Sequence, residues 1–93
     1  MITLESTISP GSDVLFKDVA GEAVVLNLET GKYYGLDEVG ARMWTLLIEK
    51  KQVEAVYHKL VEEFEVSKEQ LRQDLLNLAN DLAAHGLLYV DET

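Results

Sequence analysis

The chain has 93 residues, of which 47% are apolar, 27% charged and 8% aromatic, with one proline and no cysteine. That is enough for one core and too little for two, so residues 1–93 are expected to form a single domain, and the apolar share argues against disorder. The missing cysteines exclude a disulfide framework, a thiolate metal site and a cysteine nucleophile, while a formal charge of −9 repels phosphate backbones and makes nucleic acid an unexpected partner.

Residues 1–12 are read as flexible or as an extra strand. Met1 to Pro10 lack a basic start followed by an apolar block, so no secretory signal is visible. No stretch approaches the roughly 18 apolar residues that a bilayer crossing needs. No membrane partner and a cytoplasmic setting are therefore expected.

Most of the glycines and the only proline fall in the first 40 residues, among β-branched positions. Val14 to Val19 reads as a strand ended by Ala20-Gly21, and Glu22 to Leu28 as a second, with Leu26 and Leu28 on one face and Asn27 on the other. Glu29-Thr30-Gly31-Lys32 is a short turn in which Gly31 can take a positive φ. A third strand, Lys32 to Leu36, puts Tyr34 and Leu36 on a common face. Two tight connections in succession predict an antiparallel meander whose third strand is an edge.

Asp37 can cap a first helix, with Glu38 in its first turn, and Val39, Met43, Leu46 and Leu47 follow helical spacing. Val53, Val56, Tyr57, Leu60 and Phe64 step by three and four through a second helix. Ser67-Lys68-Glu69-Gln70 has the capping-box pattern and opens a third helix of about 18 residues, closed by Gly86. Leu87 to Val90 is a brief strand or an extended tail. The fold expected is α+β and winged helix-turn-helix-like, a three-stranded antiparallel sheet followed by three helices.

Chemistry finds little support in these residues. His58 and His85 lie on different predicted helices and read as solvated surface groups, and no metal site is expected. Seventeen carboxylates make chance acidic pairs inevitable, and Glu62-Glu63-Phe64-Glu65 reads as a solvated face. No phosphate loop, nucleophile elbow or dinucleotide fingerprint is present, so no catalytic residue, no cofactor and no enzyme activity are expected. A winged helix raises DNA binding as a distant alternative. The third helix sets Lys68 and Arg72 against Glu69, Asp74 and Asp81, which leaves no positive surplus for phosphate contacts.

Two features suit binding. One is the strand Lys32 to Leu36, short, aromatic and interrupted by Gly35, a residue that often marks close backbone approach. The other is the third helix, where Leu71, Leu75, Leu78 and Leu82 fall within about 60° of arc and Ala79, Ala83 and Leu76 widen the apolar face to roughly 160°. Gln70 and Asp74 border the opposite flank, where they could hydrogen-bond a guest peptide. Either flank could line a groove.

The run from Leu26 to Trp44, containing Thr30-Gly31-Lys32-Tyr33-Tyr34, then Leu36-Asp37-Glu38-Val39-Gly40 and the Met43-Trp44 pair, resembles the PqqD-like family. The later Leu71, Asp74-Leu75, Leu78, Leu82 and Gly86-Leu87-Leu88 are similar to its third helix and tail, so the likeness covers nearly everything after residue 12. This family is similar to the recognition elements of ribosomally made, modified peptides. The resemblance implies a non-catalytic protein that takes the leader segment of a precursor peptide as an added strand and passes it to a separate leader peptidase or modifying enzyme. It implies either the B1 role in lasso-peptide pathways, the one preferred, or a PqqD-type chaperone for a radical enzyme. Carried over by position, Lys32, Tyr33, Tyr34, Gly35 and Leu36 would pair with the leader, and Leu71, Asp74, Leu75 and Leu78 would wall the groove. The margin of the third strand must then be free, not taken by the N-terminal segment.

Overall fold

A computed structural model describes residues 1–19 and 22–91. The turn expected at Ala20-Gly21 lies outside the described residues. In chain order the elements are β1 (Ile8–Pro10), β2 (Val14–Val19), β3 (Glu22–Asn27), β4 (Tyr33–Leu36), α1 (Glu38–Lys50), α2 (Val53–Glu63), α3 (Lys68–Ala84) and β5 (Leu88–Val90). β2, β3 and β4 form an antiparallel sheet in that spatial order, with three helices after it, as the sequence pattern predicts. β1 and β5 form a separate two-stranded sheet, joining residues about 80 positions apart in sequence with Ser9 opposite Tyr89.

Local chemistry accounts for the helix ends. Asp37 accepts a hydrogen bond from the Gly40 amide at 2.7 Å and starts α1. Lys51 takes φ +65° to end that helix, and its carbonyl accepts from the Ile8 amide at 2.8 Å. Ser67 caps α3 by accepting from the Gln70 amide. The returning half of the capping box is absent: the Gln70 side chain donates to Asp74 at 2.8 Å. Gly86, with φ +71°, ends α3 where a left-handed residue is required.

The helices cover one face of the large sheet. Val25, Leu46, Leu47, Val53, Val56, Leu60, Leu75 and Leu82 are fully buried together, and Phe16 stacks on Trp44 at 6.4 Å between ring centres. Asn27 also faces this core, while Leu28 on the other side is 58% exposed, so polarity is inverted at the end of β3. Asn27 keeps its hydrogen bonds there. Its Oδ1 accepts from the Glu29 and Thr30 amides at 3.0 and 3.2 Å, pinning the β3–β4 turn, and its Nδ2 faces the Gly86 carbonyl at the end of α3.

The N-terminal segment binds the opposite side of the helices. Ile2 and Ile8 are buried, and Asn80 of α3 clasps Ile2 from both sides: Oδ1 accepts from its amide at 2.8 Å and Nδ2 donates to its carbonyl at 3.1 Å. The segment thus lies over the Leu76–Asn80 flank of α3 and leaves β4 alone. Asn80→Ala should cost about 1–2 kcal/mol, because two backbone groups lose their partner. A fall of roughly 5–15 °C in melting temperature is expected. Hydrogen exchange should quicken at Ile2 and stay unchanged in β4.

Candidate functional site

β4 forms one margin of the sheet, and among the described residues no strand pairs with its outer side. Antiparallel pairing alternates between residues that exchange hydrogen bonds and residues that do not. The Asn27 amide donates to the Lys32 carbonyl at 2.8 Å, which sets the phase. With Leu26 opposite Tyr33 and Val24 opposite Gly35, the backbone groups of Tyr34 and Leu36 turn inward to β3. Those of Tyr33 and Gly35 turn outward. Of the expected edge Lys32 to Leu36, these two residues present free N–H and C=O groups, while Lys32 belongs to the turn and Leu36 is buried.

α3 stands beside this margin. The Tyr34 hydroxyl donates to Asp81 Oδ2 at 3.3 Å, and the Tyr34 ring meets His85 edge-on with 5.4 Å between centres. At 100° per residue Asp74, Leu78, Asp81 and His85 share one flank, so that flank faces β4. Leu76, Asn80 and Ala83 occupy the flank under the N-terminal segment. Leu78 is half-buried and Asp74 exposed, whereas Leu71 and Leu75 are 3% and 0% exposed and belong to the core behind them. A polar recess closes one end of the groove, lined by Lys32 of the turn and by His85, Gly86 and Tyr89.

Sequence reasoning missed Tyr34 as a strut between strand and helix, and Asp81 and His85 as its partners. Strand alternation already put Tyr34 on one face with the apolar Leu36, and Asp81 follows Asp74 by seven residues, so the signal was available. Partial burial raises the Tyr34 phenol above its usual range, and the neighbouring Asp81 carboxylate adds to the shift. The neutral phenol is therefore favoured in the folded chain, and stability is lost as pH rises above about 10. Tyr34→Phe should flatten that alkaline decline in a melting-temperature series from pH 8 to 11. An undiminished decline would separate it from this residue.

Elsewhere Arg42 of α1 holds Glu63 at the end of α2 through two hydrogen bonds, one of them 2.8 Å, which pulls the Glu63 carboxyl below its usual range. Among the described residues no three His, Asp or Glu side chains stand together as a metal site, and no helix is long and apolar enough to cross a membrane.

The fold recurs among known proteins. No curated protein sequence matches the chain. The structure of TbiB1 in complex with the TbiA(beta) leader peptide is similar at 35% sequence identity and a TM-score of 0.79, covering 89% of this chain and 99% of that one. The structure of a lasso peptide synthetase B1 complexed with the leader peptide shares the fold, at 19% identity and a TM-score of 0.80, covering 90% of this chain and 99% of that one. The family model for coenzyme PQQ synthesis protein D (PqqD) matches residues 22–88, and the chain belongs to the PqqD family.

Proposed function

We propose that residues 1–93 act as one non-catalytic recognition unit, in the cytoplasm, for the leader region of a ribosomally synthesised precursor peptide. The leader adds as an antiparallel strand outside β4 and lies against the Asp74–Leu78–Asp81 flank of α3. The bound precursor is then handed to a separate leader peptidase of a lasso-peptide pathway. The observation that carries this reading is the unpaired margin at Tyr33 and Gly35 facing an accessible helix flank. Similarity to TbiB1, solved in complex with the TbiA(beta) leader peptide, supports it.

The energetics require both halves of the groove. Four outward backbone groups supply four hydrogen bonds worth about 0.5–1.5 kcal/mol each. Ordering about five leader residues costs about 1–2 kcal/mol apiece, so pairing alone falls short. Two or three buried leader side chains, at about 1.5–3 kcal/mol each, close the gap. Leu78 is the apolar group placed to receive one of them.

Titration with a synthetic leader labelled with fluorescein tests the proposal. Saturable binding is expected, with slowed hydrogen exchange at the Tyr33 and Gly35 amides. Protection that appeared instead at Val14, Phe16 and Asp18, the outward-turned residues of the opposite margin, would place the peptide on β2 and overturn it.

A further inference from the structure

The groove changes chemistry at one end. Between the β3–β4 turn and the end of α3, a recess is lined by Glu29, Thr30, Lys32, His85 and Tyr89, and Ala84 is its one wholly apolar side chain. An antiparallel strand outside β4 passes Leu36 first, then Tyr34, and leaves over Lys32. Side chains of that strand opposite these three positions share one face, because alternation in a strand has a period of two. The first two run along the Leu78 flank and the Tyr34 ring. The third, two residues further along the leader, comes down into the recess.

We propose that this recess is a selectivity subsite, which takes an uncharged leader side chain that both donates and accepts hydrogen bonds, a carboxamide or a hydroxyl. The inference rests on the leader-binding reading above. The turn wall donates: the Lys32 ammonium carries three N–H groups and enters no ion pair and no side-chain hydrogen bond among the described residues. The helix wall accepts. Among the described residues the carbonyls of Ala84 and His85 receive no hydrogen bond, as expected of groups past the last turn of a helix. His85 Nδ1 lies 2.7 Å from the Asp81 carbonyl, which can only accept, so Nδ1 carries the proton. The neutral ring then keeps Nε2 as a further acceptor. A leader carboxylate would face Glu29 and the negative end of α3, and a leader ammonium or guanidinium would face Lys32. An apolar side chain would cover these groups without replacing their water. A neutral group that accepts from Lys32 and donates to the helix end satisfies both walls.

The test pairs variants of the two molecules. The probe is the fluorescein-labelled synthetic leader of the same pathway, unaltered and with alanine placed at each position in turn. The chains are wild type, Lys32→Met and Leu78→Ala. Lys32→Met removes donors but no bond of the described fold, so it should melt like the wild type. It should bind the unaltered leader about tenfold more weakly, through loss of a hydrogen bond to a charged donor. One alanine, replacing an asparagine, glutamine, serine or threonine, should cost the wild-type chain about as much and the Lys32→Met chain less than about twofold. That position should lie two or four residues to the C-terminal side of the apolar position that couples in the same way to Leu78→Ala. Coupling of Lys32 to an acidic, basic or apolar position overturns the proposal, and so do coupling on the N-terminal side and no coupling at all. A leader that does not bind the wild-type chain defeats the leader-binding reading, whereas one that binds without the coupling defeats the recess alone.

Discussion

Gly35→Pro is expected to weaken leader binding at least about 30-fold while the chain still melts cooperatively. The Gly35 amide points away from β3, since Gly35 faces Val24 at a position that exchanges no hydrogen bonds within the sheet. Proline therefore removes no bond from the β3–β4 ladder and is of the kind tolerated at a sheet margin. It does remove one of the four groups that would hold the leader, and its ring occupies the place of the incoming carbonyl. Leaving that carbonyl unpaired costs about 1–3 kcal/mol, and about 2 kcal/mol is roughly 30-fold in affinity. Gly35→Ala is the control. The position has open space around it, so alanine should bind leader normally and, by restricting the unfolded chain, stabilise by about 0.4–1 kcal/mol. Fluorescence anisotropy and thermal melts of both variants decide the matter. Equal affinity for proline and wild type would remove β4 as the docking margin.

Features with a local physical cause were legible in the sequence. Asp37, Ser67 and Gly86 announce helix ends through their own side chain or lack of one, and all three act where the pattern predicts. The meander was legible because two short connections leave few ways to pair three strands. The pairing of β1 with β5 was not, since three residues including Pro10 carry no usable period and the partner lies at the far end of the chain. Asn27 also misleads by composition: polarity suggests solvent, yet the turn amides of Glu29 and Thr30 make an inward asparagine the stable choice. Within the candidate site, helical periodicity grouped Leu71, Leu75 and Leu78 on one arc but could not divide it. Contacts distant in sequence divide it, Ile2 with Asn80 on one side and Tyr34 with Asp81 on the other.

That division makes the leucines of α3 respond differently to the same change. Leu75 is fully buried, so Leu75→Asp places a carboxylate in the core without a partner and should abolish cooperative folding. Leu78 is half-buried on the flank facing β4, where a carboxylate can reach water. Leu78→Asp should leave the chain folded, with a lower melting temperature. It should cut leader affinity at least tenfold, through loss of one apolar contact worth about 1.5–3 kcal/mol. Leu76→Asp, equally half-buried but beside Thr3 and Leu4, should lower the melting temperature similarly and leave leader affinity within about twofold. Comparing Leu78 with Leu76 separates the groove wall from general destabilisation, because both remove a leucine from one helix. Affinity lost at Leu76 and kept at Leu78 would move the leader to the flank that the N-terminal segment covers. Binding would then have to displace Ile2 from Asn80, and the Ile2 amide would lose its hydrogen-exchange protection on adding leader.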